Sequence, residues 1–192
     1  MCIRDSPILH GALVCAAALS TVVHAGEFRL GSTDIAPGRL IDKRFEFNGF
    51  GCTGENRSPA LRWSGAPAGT KGFAVTVYDP DAPTGSGWWH WTVINLGADV
   101  NELRPDAGAV GGANLPAGAR HVRTDYGQSG WGGMCPPPGD KPHRYIFTVH
   151  ALKADRLDIP ADATAALAGY MINANSLGKA SFTARYGRPK AP

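Results

Sequence analysis

Glycine and proline punctuate this chain so evenly that a helical bundle has no room to form. The 25 glycines and 15 prolines are spread along 192 residues. Proline removes a backbone donor and clashes with the preceding helical turn, and glycine weakens a helix interior. Between these interruptions lie short runs rich in β-branched and aromatic residues, which the period-two or continuous apolar pattern marks as strands. Strands are expected at 28–30, 45–47, 60–63, 72–78, 91–96, 144–152 and 182–186. One helix is expected near the C-terminus. Asp162 is placed to cap it, and Leu167, Tyr170, Met171 and Ala174 recur at i, i+3, i+4 and i+7, with Gly178 at its end. The sum is a mainly β domain, most simply a two-sheet antiparallel sandwich with a C-terminal helix. The longest stretch without a strong element, 103–139, is of a length that compact domains usually reserve for function.

At 43% hydrophobic and 18% charged, the chain buries enough apolar surface for one domain and is not disordered. A net charge of +3 without any Lys/Arg run gives nucleic-acid binding no electrostatic basis. Residues 1–25 read as an export signal, with an apolar stretch within 7–25 closed by Val23-His24-Ala25, which leaves residues 26–192 as a single mature domain. That stretch is too short and interrupted for a membrane span. Met1 to Ser6 (MCIRDS) are a candidate sequencing artefact, since a transposon-end sequencing adapter can encode that run. The expected location is therefore periplasmic or secreted. Cys2 and Cys15 leave with the signal, and Cys52 and Cys135 remain. In an oxidising compartment they are candidates for one bridge, the alternative being two inert buried thiols.

Two segments concentrate groups able to do chemistry. In the first, Tyr78-Asp79-Pro80-Asp81-Ala82-Pro83 leads through Thr84-Gly85-Ser86-Gly87 to Trp88-Trp89-His90-Trp91. A strand runs into two aspartates held by prolines, a stiff turn in which the Ala82-Pro83 bond is a candidate for cis. Trp89 and Trp91, two apart, are expected on one face. The second segment, 130–139, is a Gly/Pro loop followed by His143-Arg144-Tyr145, whose His143 and Tyr145 share a strand face. Asp79 and Asp81 have an ordinary alternative job, satisfying turn amides, and a lone histidine is usually structural. The combination of two histidines, a tyrosine and a strand-end aspartate beside rigid loops points to a site. His121 and His150 lack that context.

Asp79-Pro80-Asp81-Ala82-Pro83 with His90-Trp91, and the Gly/Pro loop with His143-Arg144-Tyr145, resemble the two signature regions of the phosphatidylethanolamine-binding family. Phe50-Gly51-Cys52-Thr53-Gly54-Glu55-Asn56-Arg57-Ser58-Pro59 looks like its bacterial, Raf kinase inhibitor-like branch. The resemblance implies an antiparallel Greek-key β-sandwich and a non-enzymatic binding protein, with neither cofactor nor metal. It implies a pocket for phosphate or a phospholipid headgroup built from Asp79, Pro83, His90, Pro136, Pro137, His143 and Tyr145. It further implies kinase- or protease-inhibitor-like regulation of a protein target, and a homodimer among the partner classes. Trp131 and Met134 depart from the family pattern, and Met134 is expected at the pocket rim. Tyr170 stands where bacterial members often have histidine. The competing readings are a phosphate-ester hydrolase using an Asp–His pair, and a metal site of Asp79, His90 and His143. Neither has a supporting motif, since no G-x-S-x-G or H-E-x-x-H is present.

Overall fold

The computed structural model describes residues 26–190, so the expected export signal and Met1 to Ser6 lie outside the described residues. Ten strands and one α-helix follow one another, with β1 at Arg29–Gly31, β2 at Asn48–Gly49, β3 at Cys52–Thr53, β4 at Leu61–Ser64 and β5 at Gly72–Asp79. Then come β6 at Trp88–Gly97, β7 at Glu102–Leu103, β8 at Arg120–His121, β9 at His143–Leu152, α1 at Ala165–Asn175 and β10 at Ser176–Tyr186. The main sheet has the order β10-β9-β5-β6-β8, a smaller sheet is β1-β4-β7, and β2-β3 form a separate hairpin. Every pairing between these strands is antiparallel. One core joins Leu61, Trp63 and Leu103 of the smaller sheet to the inward residues Val75, Val77, Trp91, Phe147 and Val149 of the main sheet. Among the described residues, the expected mainly β class with antiparallel sheets and a single α-helix is what forms.

The alternation that suggested strands works because one face is dry. Along β9, Tyr145, Phe147, Val149 and Ala151 enter the core while Ile146, Thr148 and His150 face the other way. Three expectations fail, each for a local reason. Residues 45–47 are not a strand. Asp42 accepts a hydrogen bond from the Arg44 amide and starts a 3₁₀ turn at Lys43–Phe45, so Phe45 and Phe47 are buried from a bend. The helix is capped by Thr164 rather than Asp162, and its buried face is Ala165, Ala168 and Ile172. Leu167 and Tyr170 are exposed, because α1 lies close on the sheet and the contact accepts small side chains. Gly178 does not end the helix: β10 begins directly after it, and a register shift falls between Ser176 and Gly178.

Cys52 and Cys135 are bonded, with Cα atoms 5.9 Å apart across a sequence separation of 83. The bond ties the β2-β3 hairpin, which pairs with no other strand, to the 130–139 loop. Closing a loop of that length restricts the unfolded chain, an effect worth about 4 kcal/mol in the chain-entropy description. The Cys52→Ser/Cys135→Ser variant is expected to lose stability on that order, read as a shift of the denaturant midpoint that reductant reproduces in the parent chain.

Candidate functional site

The site sits where β5, β6 and β9 end together. On β5 Asp79 is the cross-strand partner of Trp88, and Tyr78 is the partner of Trp89. Val77, however, pairs with Trp91, so two residues of β6 oppose one step of β5 at His90. This β-bulge overturns the expectation that Trp89 and Trp91 share a face. Trp91 is fully buried in the core, Trp89 stacks beside Tyr78 on the opposite side, and His90 is turned inward between them.

The turn 80–87 is stiff but contains no cis bond, so the Ala82-Pro83 peptide is trans. Proline alone sets the direction of the chain here. Gly87 closes it at φ +70, where a Cβ would stand 2.2 Å from the Tyr78 hydroxyl, so only glycine serves. Asp79 takes up the ordinary turn role and more, whereas the Asp81 carboxylate bonds to Arg144. Asp79 Oδ1 accepts from the Asp81 amide at 2.8 Å, while its Oδ2 accepts from His143 Nδ1 at 2.8 Å. Asp81 clasps the start of β9, accepting from the Arg144 amide at 2.8 Å and from its guanidinium at 2.7 Å. The Arg144 hydrogen bonds hold the Asp81 carboxyl down at about 2.

The opposite wall comes from the 130–139 loop. Asn56 Nδ2 donates to the Trp131 carbonyl, Asn56 Oδ1 accepts from the Gly133 amide, and a Cβ on Gly133 would lie 2.2 Å from the Phe45 carbonyl. Locked in this way, the carbonyls of Gly132 and Gly133 both face His90 Nδ1, at 2.7 and 3.1 Å. Carbonyls only accept, so Nδ1 carries the proton of a neutral ring. Burial pushes the His90 pKa down against the opposing pull of the Gly132 carbonyl and the Asp79 charge. The remaining nitrogen, Nε2, is therefore a bare lone pair, buried and without a hydrogen-bond partner among the described residues.

The cavity between these walls measures about 290 Å³. Of the residues that the family resemblance implies, Asp79, Pro83, His90, Pro136, Pro137 and His143 line it. Tyr145 does not. Its ring is fully buried behind His90, edge-on at 5.1 Å, and burial next to Asp79 pushes its phenol far up. It supports the His90 ring from behind. Met134 and Trp131 are also core residues, Met134 wholly buried, so neither forms the rim. Tyr170 is exposed on the helix and is not among the lining residues.

Four lining residues were not legible as such. Trp88 contributes an indole N–H that is buried without a partner among the described residues. Tyr126 stacks on Phe47 at 4.0 Å, and its hydroxyl donates to the Gly133 carbonyl. Phe50, exposed at 75%, sits at the hairpin tip. Arg188 arrives from the chain beyond β10 and donates to the Gly51 carbonyl at 2.6 Å and the Pro136 carbonyl at 3.2 Å. Trp88 stood inside a segment already singled out. Tyr126 and Arg188 carried no sequence signal, because only the tertiary fold brings their elements to the cavity. Among the described residues, no three or more His, Cys, Asp or Glu side chains come together as a metal site.

The sequence profile described as "Phosphatidylethanolamine-binding protein" matches residues 31–187. The chain is 53% identical over 162 residues to the UPF0098 protein YbcL of Escherichia coli, covering 84% of this chain and 88% of YbcL. It is 49% identical over 158 residues to the UPF0098 protein YbhB of the same bacterium, covering 82% of this chain and 99% of YbhB. The crystal structure of YbcL, described as a new member of the mammalian family, superposes with a TM-score of 0.82 over 84% of this chain and 98% of YbcL. The chain belongs to the phosphatidylethanolamine-binding protein family.

The Tyr145 hydroxyl is buried with no partner among the described residues, so removing it deletes an unsatisfied polar group. Tyr145→Phe is expected to unfold within about 1 kcal/mol of the parent chain or above it in denaturant titration. A loss well beyond that range would mean that the hydroxyl is bonded in solution.

Proposed function

We propose that this chain is an exported, non-enzymatic binding protein whose cavity holds a phosphate or a phosphorylated headgroup. The observation that carries the reading is that two residues lining one cavity, His90 and Trp88, each hold a buried nitrogen without a partner among the described residues, Nε2 and the indole N–H, with Arg188 on the same lining. A buried polar atom without a partner is costly, and a ligand that supplies the partner recovers that cost. Arg188 contributes the positive charge and Trp88 a neutral donor. The Asp79 carboxylate, which alone would repel an anion, already accepts from the Asp81 amide and from His143. Export is supported by the Cys52–Cys135 bond together with the apolar segment that ends at Ala25. The non-catalytic reading is supported by the lining itself, whose one hydroxyl besides Tyr126, that of Thr84, donates to the Gly87 carbonyl and has no base beside it in hydrogen-bond contact.

The lone pair on His90 dictates a proton dependence. A fully ionised phosphate cannot receive a hydrogen bond from a bare Nε2. The complex therefore forms either with the monoanion, whose P–OH donates to Nε2, or with uptake of a proton by the ring. Both routes place one more proton in the complex than in neutral His90 plus the dianion. Above the second pKa of the ligand, about 6 for a phosphate monoester and roughly one unit higher for inorganic phosphate, affinity is expected to fall by up to about tenfold per pH unit. Calorimetry with inorganic phosphate and phosphorylethanolamine, in buffers of different ionisation heat, reads both the slope and the proton uptake. A flat profile sinks the assignment of His90.

His90→Ala is expected to abolish phosphate binding while the circular dichroism spectrum and melting transition persist. Retained affinity in that variant would move the site elsewhere. Phosphate-ester turnover by purified protein, lost in His90→Ala, would replace the binding reading with the hydrolase one.

A further inference from the structure

The face of the main sheet turned away from the core carries a second cleft, beneath α1. Here β9 presents Thr148 and His150, opposite in phase to its core residues. Their cross-strand neighbours are Thr76 on β5, opposite Thr148, and Lys179 on β10, opposite His150. The helix covers only part of this surface, packing Ala168 and Ile172 against Ala74, Ile94 and Leu152. Beside that contact it leaves a cleft of about 170 Å³, whose lining includes Trp89, His150, Gly169, Asn173 and Lys179.

Three features of this cleft point to an occupant. First, His150 is only 7% exposed, with Nε2 3.2 Å from the Thr76 hydroxyl oxygen, and its Nδ1 is buried without a partner among the described residues. A buried imidazole nitrogen without a partner carries the cost of its desolvation, which a ligand acceptor in the cleft would offset. Second, one wall is aromatic. Trp89 lies against Tyr78 with ring centroids 4.5 Å apart, and Gly169 faces the indole without a side chain, so the space a larger residue would fill stays open. Third, no carboxylate lines the cleft, and Lys179 supplies its one permanent charge.

We propose that this cleft is a second ligand site, separate from the phosphate cavity, for a small organic carboxylate whose apolar body rests on Trp89. The carboxylate pairs with the Lys179 ammonium and accepts from His150 Nδ1–H, the tautomer selected when the Thr76 hydroxyl donates to Nε2. Burial, assisted by the Lys179 charge, holds the His150 pKa down at about 4, so the ring contributes a neutral N–H and the charge is that of Lys179. One cation and an aromatic wall suit a monoanion with an apolar body better than a phosphate.

Benzoate is the probe, with acetate as the same charge without the body. Titration of the full chain by two-dimensional NMR is expected to give saturable shifts at Lys179, His150 and the Trp89 indole, leaving Trp88 and His143 unmoved, with acetate weaker. Gly169→Leu fills the cleft from the helix side and is expected to abolish the benzoate shifts, whereas His90→Ala leaves them intact. Lys179 is exposed, so Lys179→Met weakens benzoate several-fold without risk to the fold, and it decides the matter if Gly169→Leu disturbs the helix. Non-saturating benzoate shifts, shifts centred on the phosphate cavity, or affinity unchanged in Lys179→Met would each overturn the proposal.

Discussion

Strand β5 is hydrogen-bonded along both edges, to β6 on one side and to β9 on the other. That double pairing is the constraint on which the rest of the molecule depends. It brings the ends of three strands level with one another, so Asp79, Trp88 and His143 reach the same end of the sheet although they are distant in sequence. At the site end of this pairing β6 bulges, and the extra residue is His90. A bulge costs a ladder hydrogen bond, and here it redirects one imidazole out of the strand alternation into the cavity.

The second wall is assembled by connections other than sheet pairing. The Gly132 and Gly133 carbonyls reach His90 because Asn56 grips the loop from both sides and glycine permits the backbone to approach Phe45. The disulfide, Arg188 and the stack of Tyr126 on Phe47 draw the β2-β3 hairpin to the same rim. Glu46, buried at the base of that hairpin, accepts from the Thr53 amide and from the Tyr186 hydroxyl at the end of β10. Rigidity of the cavity is thus shared among a covalent bond, a few buried hydrogen bonds and three consecutive prolines. An unpaired lone pair on His90 survives in such a setting because no neighbour has the freedom to move and satisfy it.

The two faces of the main sheet treat histidine differently. His90 and His143 lie at the strand ends, where loops supply carbonyl and carboxylate partners. His150 lies mid-strand on the outer face, under a helix too small in its contact residues to close over it. It lacked the Gly/Pro loop context that made the other two conspicuous in the sequence. Its unpaired nitrogen became visible only when the helix was seen to stop short of it.

Much was legible beforehand because it depends on local pattern. Alternation and β-branched runs marked β4, β5, β6 and β9, and the proline-flanked aspartates with the neighbouring histidines marked Asp79, His90 and His143 of the cavity lining, while the family resemblance implied Pro83, Pro136 and Pro137. Side-chain period and proline stereochemistry act within a few residues, so a sequence suffices to read them. The tertiary structure alone decided that Trp89 and Trp91 part company, because a bulge is a mismatch between two strands and neither strand carries it alone. It likewise decided that Tyr145 and Met134 are core, that Arg188 and Tyr126 are lining, and that Ala165, Ala168 and Ile172 form the helix contact. Each of those outcomes depends on how closely two distant segments approach. That distance is set by packing across the whole domain, which no window of sequence contains.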